Sequence, residues 1–136
     1  LWGNLNNADK INKNRLASWL KYKSELKELE EKKIIQLPTV PKNCIPNSHL
    51  FYIKVKTLTL RTKLISYLKS NNILATFHYI PLHSSIAGKK FGLMKNKDNH
   101  TTTESEKLVR LPIYYGISSN EQDYIIDKIY SFFDLK

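Results

Sequence analysis

The chain has 136 residues, 41% of them hydrophobic and 25% charged, with a formal net charge of +10 and a single cysteine. That length supports one domain with one ordinary core, the composition excludes an intrinsically disordered chain, and no apolar run approaches the ~20 residues of a membrane-crossing helix. The lone Cys44 excludes an internal disulfide, so a reducing cytoplasm is the expected compartment.

The chain opens at Leu1 with a helical pattern already under way, carrying apolar residues at Leu5, Ala8, Ile11, Leu16, Trp19, Leu20, Leu26 and Leu29. One helix of about 28 residues would be on the order of 40 Å long, more than so small a domain can cover. The expectation is therefore a part of a longer protein, whose preceding segment packs on the first turns. Pro38, Pro41 and Pro46 make residues 36–48 a connecting loop. Residues 49–55 alternate as a strand, with Phe51, Ile53 and Val55 on one face. Thr59 is expected to cap a helix running to Ser70, with Leu60, Leu64, Tyr67 and Leu68 inward and Asn71-Asn72 as a left-handed stop. A second strand is expected over 73–80, facing Ile73, Ala75, Phe77 and Tyr79 one way until Pro81 ends it. Residues 82–100 read as a surface loop or a loop with one short helix. Thr103-Glu104-Ser105-Glu106 reads as a capping box for a helix ending at Arg110, and residues 118–122 start the last helix by the same device. That helix has Ile125, Ile126, Ile129, Tyr130 and Phe133 as its stripe. The sum is a two-layer α/β domain in which the first and last helices pack on a small mixed sheet.

The charge is unevenly spread. Between residues 36 and 100 there are ten Lys and Arg against one acid, Asp98, whereas residues 101–136 carry four basic and six acidic side chains. A coding bias toward Lys, Asn, Ile and Tyr makes a chain basic without any ligand, but it would have made the last third basic too. An anionic partner for the middle of the chain is expected. Within it, Phe77-His78-Tyr79-Ile80-Pro81-Leu82-His83 gathers two imidazoles and a phenol beside Lys89 and Lys90. The histidines lie across a proline without a Cys, Asp or Glu in the segment to complete a tetrahedral shell, so no metal site is expected. Ser84 and Ser85 lack a nucleophile elbow, and the glycines at 3, 88, 92 and 116 are too scattered for a phosphate loop. No catalytic residue is expected in this chain. His78, Tyr79, His83, Lys89 and Lys90 are instead candidates for donating hydrogen bonds and positive charge to sugar or phosphate oxygens at the edge of a larger site. The bland alternative makes Tyr79 core, His83 a loop cap and the lysines solvated.

Four ordered blocks carry a resemblance. Leu5-x-x-Ala8-Asp9-x-Ile11-Asn12-x-x-Arg15-Leu16, His49-x-Phe51-Tyr52-Ile53-Lys54, the segment 77–83 with Ala87-Gly88 and Phe91-Gly92, and Thr102-x-x-Ser105-Glu106-x-Leu108-x-Arg110-Leu111-Pro112 are similar to the C-terminal domain of DegT-family sugar-nucleotide aminotransferases. The resemblance implies that residues 1–136 are the small domain of a fold-type I enzyme. Pyridoxal phosphate would then be the cofactor of the full-length protein, with none bound to this part. It also implies glutamate as amino donor, a dTDP-linked 4-keto-6-deoxy sugar as acceptor and a role in cell-surface glycan synthesis. In that family the Schiff-base lysine and most phosphate ligands belong to an N-terminal large domain, and full-length members are homodimers. His78, Tyr79 and His83 match the family's substrate-side segment. A sugar dehydratase using the same cofactor is a variant that these residues do not separate. No membrane partner is expected; a nucleic-acid-binding module is the alternative of another class, to be recognised by steeply salt-dependent binding.

Overall fold

The computed structural model describes residues 2–135, without the side chain of Asn4; the chain's opening at Leu1 lies outside the described residues. The first helical stretch is three pieces rather than one: α1 (Trp2–Asn6), α2 (Ala8–Glu25) and α3 (Lys27–Glu31). Single turn residues, Asn7 and Leu26, separate them, while Ile11 N–H donating to Asn7 O and Leu26 N–H to Tyr22 O carry the ladder across both breaks. The helix first meets the rest of the chain at Asn14, whose Oδ1 accepts from Gly116 N–H at 2.9 Å, and its buried residues begin at Ser18. Trp19, Tyr22, Leu26 and Leu29 are buried, whereas Trp2 is 76% and Leu5 58% exposed, so the expected stripe is uncovered over its first turns. Leu20, expected to face inward, is also exposed.

After the proline-rich connection come β1 (Phe51–Lys54), α4 (Leu58–Ser70), β2 (Thr76–Phe77), a 3₁₀ turn (Leu82–Ser84), α5 (Ile86–Phe91), α6 (Thr101–Ser105), β3 (Leu108–Leu111) and α7 (Ser119–Phe132). The two-layer α/β class is as expected. Its sheet is not mixed, because β3 lies between β1 and β2 and pairs antiparallel with both. The β1–α4–β2 unit is thus a split crossover whose two strands run the same way with β3 inserted. The expected helix up to Arg110 gives way to β3 for the same reason. Its backbone pairs with both flanking strands, and Val109 and Leu111 alternate into the same core as Phe51 and Ile53. The second strand is shorter than the 73–80 expected, since β3 offers partners only to Thr76 and Phe77. Ile73 and Ala75 are buried as expected, but Phe77 and Tyr79 are exposed.

Helices α2, α4 and α7 cover one face of this sheet. Phe51 is fully buried there and meets the rings of Trp19 at 5.4 Å and Tyr22 at 5.2 Å. The Tyr22 hydroxyl donates to Pro112 O at 2.9 Å, and burial pushes this phenol well above its ordinary range. Gln122, buried in α7, donates from Nε2 to Ser18 O at 2.9 Å and locks the last helix against the first. The helix ends follow local chemistry. Thr57, rather than Thr59, caps α4: its backbone is extended and its hydroxyl accepts from Leu60 N–H at 3.1 Å. Asn72, with φ of 59°, is the left-handed residue that stops it. Ser118 and Glu121 form the expected capping box on α7. Ser118→Ala leaves the Glu121 amide without its acceptor and should lower stability by about 1 kcal/mol, read as a shift in the urea midpoint with an unchanged slope.

Candidate functional site

The alternation that buries Phe51, Ile53, Val109 and Leu111 turns Tyr52, Lys54, Leu108 and Arg110 to the opposite face of the sheet. There the register aligns Tyr52, Arg110 and Thr76 in one row and Lys54 with Leu108 in the next. His78, just past β2, joins Tyr52, Lys54, Glu104, Leu108 and Arg110 around a cavity of about 380 Å³. Glu104 supplies its one carboxylate, and that group is already shared. Lys54 donates to one of its oxygens and Lys107 to the other at 3.2 Å. Those hydrogen bonds, led by the one from Lys54, hold Glu104 below the usual carboxylate range.

A second cavity, also about 380 Å³, lies at the next corner and is lined by Leu82, His83, Gly88, Lys89, Gly92, Leu93 and Met94. Its floor is local structure. Ser85 caps α5 by accepting from Gly88 N–H at 2.9 Å, and a Cβ at Gly88 would stand 1.5 Å from the Leu82 carbonyl oxygen, so only glycine lets α5 sit against the 3₁₀ turn. His83 is held from across the loop: its Nε2 lies 3.0 Å from Asp98 Oδ2 and 3.2 Å from Thr102 Oγ1. An ionised carboxylate only accepts, so Nε2 carries the proton and Nδ1 is left for another partner. Asp98 also accepts from the backbone N–H groups of His100, Thr101 and Thr102, at 3.2, 2.8 and 2.9 Å, and thereby starts α6. The expected capping box at 103–106 is not used, because α6 begins three residues earlier, its first amides held by Asp98.

Hydrogen bonds from Thr102, side chain first and backbone second, hold the Asp98 carboxyl well below its ordinary range. A depressed folded value means that its contribution is complete above the unfolded pKa of ~3.9 and is lost only as pH falls through the lower folded value. The amides of residues 100–102 should therefore stay protected from hydrogen exchange from pH 7 to about 4 and lose that protection together only below that. Asp98→Asn should loosen this turn already at neutral pH.

The five residues named from sequence fall into two groups. His78 and Tyr79 touch, ring centroids 4.8 Å apart, with His78 half-buried and Tyr79 73% exposed rather than core. His83 and Lys89 line the second cavity, while Lys90 is exposed with its ammonium over the Phe91 ring at 5.0 Å. Sequence reasoning missed Tyr52, Arg110, Glu104 and Asp98 as site residues. The available signal was the alternation of Leu108-Val109-Arg110-Leu111, hidden behind a helical reading of the residues before it. Among the described residues no group of three or more His, Cys, Asp or Glu could hold a metal ion, and no helix is long and apolar enough to cross a membrane. Nor do the described residues fit pyridoxal phosphate. No lysine is among the buried residues to present an amine away from water, and the close backbone approach at Gly88 is filled by the Leu82 carbonyl rather than open to a phosphate.

Residues 1–130 match the family model of the DegT/DnrJ/EryC1/StrS aminotransferase family. The fold is similar to that of the aminotransferase TlmJ from Streptoalloteichus hindustanus, with a TM-score of 0.83 at 15% identity over 96% of this chain and 34% of that one. It is similar also to DesV of S. venezuelae, solved in complex with a ketimine intermediate, with a TM-score of 0.79 at 24% identity over 94% of this chain and 33% of that one. Helicobacter pylori PseC, an aminotransferase involved in the biosynthesis of pseudoaminic acid, gives a TM-score of 0.77 at 15% identity over 98% of this chain and 35% of that one. The chain thus spans about a third of the length of the solved chains it matches.

Proposed function

Because this chain belongs to the DegT/DnrJ/EryC1/StrS aminotransferase family, we propose that residues 1–136 are the C-terminal, substrate-closing domain of a pyridoxal-phosphate sugar-nucleotide aminotransferase. In this reading an N-terminal large domain supplies the Schiff-base lysine and most phosphate ligands, and the full-length enzyme is a homodimer. The acceptor is a dTDP-linked 4-keto-6-deoxy sugar, the donor is glutamate, and the product is dTDP-4-amino-4,6-dideoxygalactose. That product would enter a cell-surface glycan such as lipopolysaccharide or enterobacterial common antigen from the cytoplasm. The observation that carries the reading is the family pattern running through residues 1–130. The basic character of residues 36–100 is consistent with a diphosphate-bearing acceptor.

When bound, the cofactor supplies the imine chemistry that moves the amino group. This chain binds and orients the acceptor. His78 and Tyr79 stand together at the rim to donate hydrogen bonds to sugar oxygens, and His83, its Nε2 committed to Asp98, offers Nδ1. Lys89 and Lys90 are exposed cations beside it, suited to phosphate oxygens. In the full-length enzyme, His78→Ala and Tyr79→Phe should each raise KM for the dTDP sugar about tenfold, the worth of one hydrogen bond to a charged or polar group. The half-reaction with glutamate should keep its rate. Equal losses in both half-reactions would make these residues structural, and failure to aminate any dTDP sugar would end the assignment of the acceptor.

A further inference from the structure

We infer that the face of the sheet opposite α2, α4 and α7 is a phosphate-binding site centred on Arg110, and that it takes the diphosphate of the nucleotide-sugar acceptor, the second half resting on the reading above. Arg110 sits in the middle of the central strand, half-buried, with Tyr52 on one side and Thr76 on the other. Among the described residues no hydrogen bond, ion pair or ring contact engages its guanidinium. Arg61, by comparison, donates to Ser105 O at 3.4 Å and lies over the Phe77 ring, although its Nε is buried without a partner. None of the Arg110 nitrogens is among the buried atoms without a partner, so the guanidinium stays open to an incoming acceptor.

The surroundings select a phosphate. Lys54, Lys107 and Arg110 set three cations against the single carboxylate of Glu104, which both lysines already hold. The Tyr52 hydroxyl, the Thr76 hydroxyl and the His78 ring add further donors that make no hydrogen bond among the described residues. Open space lies on both sides of the arginine: the cavity of about 380 Å³ toward Lys54 and His78, and another of about 350 Å³ toward His49, Thr76 and Tyr114. Neighbouring strands stand about 4.8 Å apart, so the row Tyr52, Arg110, Thr76 is about 10 Å wide, room for two linked phosphates. A guanidinium fork matches two phosphate oxygens at once, which an ammonium does not, and this makes Arg110 rather than Lys54 the specifying contact. His78 ties the site to the His-Tyr-His segment, because it borders this cavity while its ring touches Tyr79.

The test is titration of the ¹⁵N-labelled 136-residue chain at low salt with inorganic pyrophosphate, dTDP and thymidine. Pyrophosphate and dTDP should move the amides of residues 52, 76 and 110, and thymidine should leave them in place. Arg110→Gln should weaken both phosphate ligands at least about tenfold, with Arg110→Lys intermediate. Still amides in the unaltered chain would overturn the site whatever the variants do, and so would equal affinity in a folded R110Q. Pyrophosphate moving residue 110 while dTDP moves nothing supports the phosphate site and removes the nucleotide sugar as its occupant. A dTDP response confined to residues 78–90 does the reverse, overturning the Arg110 site and leaving the acceptor reading in place.

Discussion

Supplied with pyridoxal phosphate, glutamate and a dTDP-linked 4-keto-6-deoxy sugar, the 136-residue chain by itself is expected to form no amino sugar. Amino transfer needs a lysine amine that forms an imine in a water-excluded site and then shuttles a proton there. The chain is rich in lysine, yet among the described residues none is buried. Lys54 and Lys107 are held by Glu104, and Lys89 and Lys90 are exposed. Exposed amines form imines with the cofactor in water without directing the later proton transfers, so product formation and not cofactor absorbance is the measurement to make. The expected deficit relative to a working aminotransferase is at least ~10⁶-fold, the lower bound of ordinary enzymatic acceleration. Turnover above the uncatalysed background would overturn the assignment of the chemical half to another part of the protein.

Phe51→Ala should lower the stability of the domain sharply. Phe51 is fully buried where β1 meets the first helix, and its ring is in contact with those of both Trp19 and Tyr22. Removing it discards the transfer free energy of an aromatic ring and leaves a cavity walled by two rigid neighbours, a loss of about 3–5 kcal/mol. Set against the ~5–15 kcal/mol that holds an ordinary domain together, this is at least about a fifth of the total. The measurement is the urea midpoint. A loss under ~1 kcal/mol would mean that the Trp19–Tyr22–Phe51 cluster is not where α2 is anchored.

Much of this fold was legible because the informative patterns were local. The alternation of Phe51, Ile53 and Val55 marks β1, the stripe of Ile125, Ile126 and Ile129 marks α7, and Ser118 with Glu121 names its first turn. Each of these depends on residues a few positions apart. β3 was not legible in the same way. Its four residues follow closely on a short helix, and their alternation is decided by β1 and β2, which lie more than 30 residues away in sequence. The candidate site divides along the same line. His78, Tyr79 and His83 announce themselves as a chemical cluster in one heptapeptide, and the excess of positive charge in residues 36–100 points to an anion.

Sequence by itself determined the class of domain, the buried faces of β1 and α7, and the chemistry on offer, because side-chain periodicity and capping act over a single turn or pleat. Only the tertiary structure decided which of those groups meet. It split the two histidines between separate cavities, gave Asp98 to His83, and put the unpaired Arg110 between Tyr52 and Thr76. The physical reason is strand pairing. Register across β1, β3 and β2 is set by which residues the helices bury on the other face, and a shift of one residue would have turned Arg110 into the core.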